Sequence, residues 1–129
     1  MSGSSIYVQR ADCRRYDTPI ALVVIEADQL TPDERTALAL LTSRVPTAPL
    51  SSPKQGDLAR LCQEHGCVLD RTAVIATTPQ GLTLLLEASV SLTLRGAGYE
   101  NEAAADMVFK PRSSGGLAAA IEYACRLVD

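Results

Sequence analysis

The sequence predicts an α/β fold, a three-layer α/β/α sandwich built around a mostly parallel sheet. Short runs of β-branched and aliphatic residues alternate along the chain with segments whose apolar residues recur at helical spacing. The links between these segments are short, which is typical of helices that pack on both faces of one sheet. A chain of 129 residues with 47% hydrophobic content is also the size of a single globular domain.

The predicted strands follow from apolar runs that are bounded by turn residues. The first run is continuous, as expected for a strand that is covered on both faces, and the fourth alternates apolar and polar residues before the Arg95–Gly98 turn. The predicted strands cover residues 20–25, 47–50, 72–76, 90–94 and 107–109.

The predicted helices follow from capping residues and apolar faces. Thr31 and Pro32 are typical of an N-cap and a first helical position, so a helix is predicted from there to about Ser43. A second helix is predicted to start at Ser52–Pro53 and to end near Gly66, since glycine commonly follows the last helical residue. The remaining helical segments are predicted at residues 80–88, 101–106 and 117–128.

Charge and hydropathy exclude several classes of partner. The net charge of −3 comes from 15 acidic and 12 basic residues without long runs, so neither nucleic acid nor a membrane surface is expected as a partner. No segment approaches the run of about 20 apolar residues that spans a bilayer, and no secretory signal opens the chain. We therefore expect a cytoplasmic protein with an N-terminal arm (residues 1–18) and one domain (19–129). The opening MSGSS is typical of a segment added for expression.

The four cysteines are Cys13, Cys62, Cys67 and Cys125. Without a secretory signal they are expected to be reduced thiols rather than disulfides. Cys62, His65 and Cys67 have a spacing that zinc ligands can adopt, but Cys62 falls on the apolar face of a predicted helix and a fourth ligand would have to come from far away. No metal is expected there.

Glu26 and Asp28 follow directly after the first predicted strand. Because side chains alternate along a strand, residues two apart point the same way and these carboxylates share one small volume. Ligands of such sheets bind at the carboxyl ends of the strands. Hydroxyl groups and an ammonium group are predicted at the same edge, from Ser51, Ser52, Lys54, Thr77 and Thr78. This combination is typical of a pocket that handles a phosphate group.

These segments resemble the motifs of the haloacid dehalogenase (HAD) superfamily. IALVVIEADQLT is similar to the first motif, a hydrophobic strand followed by Asp-x-Asp-Gly, and KQGDLARLCQEHG begins with a lysine as the third motif does. TAVIATTPQGLTLLLEASVSLTL stands where the fourth motif is expected, and AAADMVFKPRSSGGLAAAIEYACRLV resembles the closing segment. The order is similar to that of the capless keto-deoxy-octulosonate phosphate phosphatases, and SSPKQGDLARL resembles the lysine segment of the P-type ATPase phosphorylation domain. The resemblance implies a HAD-like fold without a cap domain.

The resemblance also implies catalytic roles, and the sequence departs from several of them. Glu26 stands at the position of the nucleophilic aspartate, while Asp28 and Lys54 match the acid/base aspartate and the lysine. Thr77 and Gly81 stand at the acidic positions that hold magnesium in the family. Magnesium prefers carboxylate ligands beside the substrate phosphate, and phosphoryl transfer depends on this charge stabilisation. Ser51 and Ser52, with Thr77 and Thr78, are the candidate phosphate-binding residues.

The pattern favours a catalytically silent HAD-like module that needs no cofactor and binds a protein partner, a second copy of itself or a small anionic ligand. Three alternatives stay open. The first is a divergent magnesium-dependent phosphohydrolase that acts on a small phosphorylated metabolite. The second is an unrelated α/β module, receiver-like or ribosomal-protein-like. In the third, Glu26 and Asp28 only cap the following helix and pair with Lys54 or an arginine.

Overall fold

The computed structural model describes residues 7–8 and 19–128, and the strands within them form one sheet. These strands are β1 (Tyr7–Val8), β2 (Leu22–Glu26), β3 (Thr47–Leu50), β4 (Thr72–Ala76), β5 (Val90–Leu94) and β6 (Met107–Phe109). Their order is β1-β6-β5-β4-β2-β3, with β2 to β6 parallel and β1 antiparallel to β6. The predicted mostly parallel sheet is confirmed.

Helices cover both faces of this sheet. They are α1 (Pro32–Thr42), α2 (Asp57–His65), α3 (Leu82–Glu87), α4 (Tyr99–Ala104) and α5 (Gly116–Val128). Side chains from α1 and α5 form one core with one face of the sheet, and side chains from α2 and α3 form a second core with the other face. The predicted three-layer sandwich is therefore confirmed.

The strand β2, which lies between β3 and β4, has a continuous apolar sequence because both of its faces are covered. Val23 and Ile25 belong to the core under α1 and α5, whereas Leu22 and Val24 belong to the core under α2 and α3. All four are at most 1% exposed. Burial of such a side chain contributes roughly 1.5–3 kcal/mol, so both faces of β2 stabilise the fold.

Helix α1 begins at the capping residues that the sequence indicates. The hydroxyl of Thr31 accepts a hydrogen bond from the amide of Glu34 (3.2 Å), and the carboxylate of Glu34 accepts one from the amide of Thr31 (2.9 Å). This reciprocal capping box, with Pro32 at the first helical position, satisfies amides that would otherwise lack acceptors. The capping part of the third alternative, in which Glu26 and Asp28 cap α1, is wrong, because Thr31 and Glu34 cap this helix.

Helix α2 begins later than predicted. The prediction that it starts at Ser52–Pro53 is wrong: the helix starts at Asp57, directly after Gly56, whose φ of 91° is left-handed and interrupts a helix. The carboxylate of Asp57 accepts a hydrogen bond from the amide of Lys54 (2.8 Å), which closes a turn ahead of the helix. Lys54 therefore lies before α2 and not in its first turn. The predicted end is confirmed, with Gly66 in the left-handed conformation.

The division into an arm of residues 1–18 and a domain of residues 19–129 stays a prediction, since most of the arm lies outside the described residues. Among the helices that the structure describes, none has the length and apolar character needed to cross a membrane. The thiols of Cys62, Cys67 and Cys125 are free.

Candidate functional site

The carboxyl ends of β2, β3 and β4 meet at one edge of the sheet, as the sequence predicts. In the register of the parallel strands, Glu26 lies opposite Leu50 on β3 and opposite Ala76 on β4. The segments that follow are therefore neighbours, and the amide of Ala27 donates to the carbonyl of Leu50 (3.2 Å). The candidate residues after β3 and β4 are brought to the same edge as Glu26 and Asp28.

The side chain of Glu26 is bound to the end of β4. One carboxylate oxygen, Oε1, accepts hydrogen bonds from the amides of Thr77 (2.8 Å) and Thr78 (3.0 Å), and the other, Oε2, accepts one from the hydroxyl of Thr78 (2.6 Å). Glu26 is only 1% exposed. The hydrogen bonds of such a carboxylate are charge-assisted and satisfy it inside the protein, so the side chain of Glu26 joins the end of β2 to the end of β4.

Three further side-chain hydrogen bonds hold the end of β4 in place around Glu26. The hydroxyl of Thr77 donates to the carbonyl of Glu26 (2.8 Å), and the hydroxyl of Thr93 donates to the carbonyl of Ala76 (2.9 Å). The side-chain amide of Asn101, on α4, donates to the carbonyl of Thr78 (2.7 Å). The hydroxyl hydrogens of Thr77 and Thr78 are thus both used inside the protein.

Gly81 lies against Glu26 in a space that admits no side chain. A Cβ atom at this position would lie 2.5 Å from the Cβ of Ala76 and 2.8 Å from Oε1 of Glu26. Both distances are shorter than van der Waals contact, so a larger residue at position 81 would displace the carboxylate or the backbone of β4. The position where the family has an acidic residue is therefore closed to one in this chain.

The remaining candidate residues lie on the outside of the same edge. Asp28, Ser51, Ser52 and Lys54 are exposed, in contrast to Glu26. Ser52 has a φ of 51°, which is uncommon for a residue other than glycine and turns the chain sharply after β3. These four side chains are accessible to a ligand or a partner.

Arg112 is a residue of this edge that the sequence analysis did not single out. Its guanidinium donates to both carboxylate oxygens of Glu34 (2.9 and 2.8 Å) and also to the carbonyl of Gln29. The hydrogen bonds from Arg112 hold the pKa of Glu34 below its usual range. In turn, the carboxylate of Glu34 raises the pKa of Arg112, and the negative charges of Asp28 and Glu26 raise it further by smaller amounts. Arg112 therefore ties the loop after β2 to the segment before α5.

A shallow depression of about 260 Å³ opens beside this ion pair. Its lining comes from the start of α1 and the start of α5, and it consists of Thr31, Asp33, Glu34, Arg112, Ser113, Gly115 and Ala118. Glu26 and Asp28 do not line it. The depression thus lies to the side of the two carboxylates that end β2.

The residues at this edge do not fit a magnesium ion. Magnesium needs near-octahedral oxygen ligands and usually one or two carboxylates that are open to it. Both oxygens of Glu26 already accept hydrogen bonds, Thr77 and Gly81 bring no carboxylate, and Asp28 is a single exposed acid. Among the described residues no three His, Cys, Asp or Glu side chains come together as a metal site.

Comparisons with known proteins identify the fold. No protein-family model and no curated protein matches the chain. Three solved structures illustrate the structural similarity. A hypothetical protein from Xanthomonas campestris has 17% identity and a TM-score of 0.66, over 95% of this chain and 90% of that chain. The cobalt-bound deoxy-D-mannose-octulosonate 8-phosphate phosphatase of Haemophilus influenzae has 14% identity and a TM-score of 0.65, over 87% and 92%.

The third structure is the 3-deoxy-D-manno-octulosonate 8-phosphate phosphatase of Moraxella catarrhalis in complex with magnesium, phosphate and KDO. It has 14% identity and a TM-score of 0.58, over 84% of this chain and 87% of that chain. At such low identity the similarity concerns the fold and not the activity. The chain therefore has a haloacid dehalogenase-like fold, as the resemblance of its motifs predicted.

Proposed function

We propose that this protein is a non-catalytic HAD-like module, which acts by binding a protein partner, a second copy of itself or a small anionic ligand, and which has no phosphatase activity. The observation that carries the proposal is the bonding of Glu26. The residue at the nucleophile position is buried and its two oxygens accept three hydrogen bonds from Thr77 and Thr78.

A carboxylate nucleophile must present a free oxygen lone pair in line with the phosphorus atom. Glu26 is only 1% exposed, so its carboxylate would have to rotate towards the solvent and give up its two bonds to the amide and the hydroxyl of Thr78. A hydrogen bond to a charged group contributes about 1.5–3 kcal/mol, and each 1.36 kcal/mol added to a barrier lowers the rate about tenfold. Loss of two such bonds would therefore slow attack by at least about a hundredfold.

The electrostatics of the edge support the same proposal. A phosphate ester approaching Glu26 and Asp28 meets two negative charges. In phosphoryl transfer this repulsion is normally relieved by a metal ion. Thr77 and Gly81 stand at the positions of the metal-binding acids. The hydroxyl of Thr77 already donates to the backbone carbonyl of Glu26, and Gly81 has no side chain that could bind a metal.

Binding is proposed to use the exposed side of the edge. Lys54, Ser51 and Ser52 are accessible and offer one positive charge and two hydroxyl groups, which suit a small anion or an acidic segment of a partner. A cytoplasmic location is part of the proposal, since free thiols are usual in that compartment.

Hydrolysis of p-nitrophenyl phosphate, measured with and without magnesium, tests the absence of catalysis. We expect no release of nitrophenol above that of the Asp28→Asn variant, because Asp28 is the one exposed acid at the family's catalytic positions. We also expect no rise in melting temperature as magnesium is added, since Glu26 and Thr77 are already bonded to each other. Light scattering and titration with inorganic phosphate then distinguish a second copy from an anionic ligand.

The exposure of Asp28 favours one second candidate, a divergent magnesium-dependent phosphohydrolase that acts on a small phosphorylated metabolite. Asp28 occupies the position of the family's acid/base residue and is free of the burial that holds Glu26. Magnesium-dependent turnover that disappears in Asp28→Asn would establish this candidate and refute the non-catalytic proposal.

A further inference from the structure

Cys62 and Cys67 lie at the end of α2, in the part of the chain that leads into the start of β4, whereas the edge described above is formed by the carboxyl ends of the strands. Gly66 ends the helix in the left-handed conformation, and the amide of Cys67 donates to the carbonyl of Cys62 (3.0 Å). In this kind of helix end, the residue after the glycine commonly packs against the residue that accepts its hydrogen bond. In this chain both members of that pair are cysteines.

The hydrogen bond between their backbones keeps the two residues close to the separation that a disulfide requires. Standard bond lengths and a hydrogen bond of 3.0 Å limit the distance between the two Cα atoms to about 7 Å. A disulfide needs a Cα separation of about 4.4–6.8 Å. Cys67 also packs against the core cluster that contains Cys62, so both side chains contact the same core.

We propose that Cys62 and Cys67 form a reversible dithiol–disulfide site that responds to peroxide. The Cys67 thiol loses its proton, its thiolate attacks one oxygen of the peroxide, and the O–O bond breaks, so that Cys67 becomes a sulfenic acid and the leaving hydroxide takes up that proton and departs as water. The Cys62 sulfur then attacks the Cys67 sulfur, the S–O bond breaks, and a second water leaves. Two thiols are oxidised to one disulfide and one peroxide is reduced to two waters, and a dithiol reductant reverses the change.

The order of the two steps follows from burial. Cys62 is 4% exposed, and burial, together with the adjacent Cys67, raises the pKa of the Cys62 thiol to about 11. Cys67 is half-buried and meets the oxidant first. The disulfide would join the last turn of α2 to the segment that leads into β4, which makes local opening of that helix end less frequent. This site is independent of the proposed function at the other edge.

Peptide mapping of the intact protein tests the proposal. Trypsin releases residues 61–71 as one peptide that contains both cysteines, whereas Cys13 and Cys125 fall in other peptides. After treatment with hydrogen peroxide and alkylation under denaturing conditions, we expect this peptide to lack both alkyl groups and to have lost two hydrogen atoms. Cleavage after Glu64 should then leave two fragments that separate only on reduction. Cys125 serves as the internal control and should remain alkylated.

Variants separate the two roles. In Cys62→Ala no second thiol is available, so Cys67 should accumulate as a sulfenic acid that dimedone traps, and the wild-type protein should show no such adduct. Two results would overturn the proposal. One is a 61–71 peptide that keeps both alkyl groups while Cys125 is oxidised, and the other is a Cys67 that proceeds to sulfinic acid while Cys62 stays reduced. Both are read on the wild-type protein and do not depend on the folding of a variant.

Discussion

The bond between the ends of β2 and β4 gives the sharpest prediction for stability. Glu26→Ala removes the acceptor of the Thr78 amide and of the Thr78 hydroxyl, and one of the two acceptors of the Thr77 amide, which keeps its bond to the backbone carbonyl of Glu26 (3.2 Å). Each buried donor that is left without an acceptor costs about 1–3 kcal/mol. With some relaxation and entry of water, we expect the free energy of unfolding to fall by about 4 kcal/mol, a large part of the roughly 5–15 kcal/mol that holds a typical domain together.

The assay is urea unfolding followed by circular dichroism. For a slope of about 2 kcal/mol per molar urea, a loss of about 4 kcal/mol lowers the midpoint by about 2 M. Glu26→Gln should have a smaller effect, of about 1–2 kcal/mol, since its carbonyl oxygen still accepts from the two amides while the charge is lost. We therefore expect stability to increase from Glu26→Ala to Glu26→Gln to the wild type.

Thr78 supplies a matched pair of variants for the same bond. Thr78→Val keeps the shape of the side chain and removes the hydroxyl that donates to Oε2 of Glu26, whereas Thr78→Ser keeps the hydroxyl. We expect a loss of about 1.5 kcal/mol for the valine variant and less than about 0.5 kcal/mol for the serine variant. A free energy of unfolding for Glu26→Ala within about 0.5 kcal/mol of that of the wild type would show that the carboxylate does not stabilise the sheet.

Two further predictions concern Gly81 and Arg112. Gly81→Ala should lower the free energy of unfolding in urea by about 2–3 kcal/mol, because its Cβ would lie 2.5 Å from the Cβ of Ala76. Gly96→Ala is the control: its Cβ meets no atom within 4 Å, so it should lose only about 1 kcal/mol, from the left-handed backbone conformation at that position. Equal losses in the two variants would contradict the close approach of Gly81. Arg112→Gln should lower stability at pH 7 by about 2 kcal/mol, since it leaves Glu34 buried without its cation. The pKa of Glu34 is lowered from 4.5 in the folded protein, so the difference in stability between wild type and Arg112→Gln should be complete above pH 4.5 and should shrink as the pH falls below it. A difference that stays the same in acid would contradict the pairing of Arg112 with Glu34.

Local signals predicted the sheet well. The strands at residues 47–50, 72–76, 90–94 and 107–109 are found with the predicted bounds, because short apolar runs between turn residues leave little freedom in where a buried strand begins and ends. Thr31 and Pro32 likewise marked the start of α1 correctly, since capping depends on side chains only three residues apart.

Interactions between distant residues were harder to predict. The sequence places a carboxylate at position 26, but its partners are backbone amides 51 and 52 residues away, and an amide has no sequence signal of its own. Arg112 was missed for the same reason, because Glu34 lies 78 residues earlier in the chain. The predicted start of α2 is wrong because Ser52 and Pro53 are typical of a helix start, whereas the left-handed conformation of Gly56 delays the helix until Asp57.

The close approach of Gly81 to Glu26 restricts the order in which substitutions can accumulate at this edge. Glu26→Asp shortens the side chain by one methylene and withdraws its oxygens from Thr77 and Thr78 before any metal-binding acid is present. An acidic residue at position 81 first meets Ala76 and the carboxylate itself. Each of these two substitutions is thus expected to destabilise the domain before it adds metal-binding chemistry, so an engineered metal site at this edge should require simultaneous changes at position 26 and in the segment that follows β4.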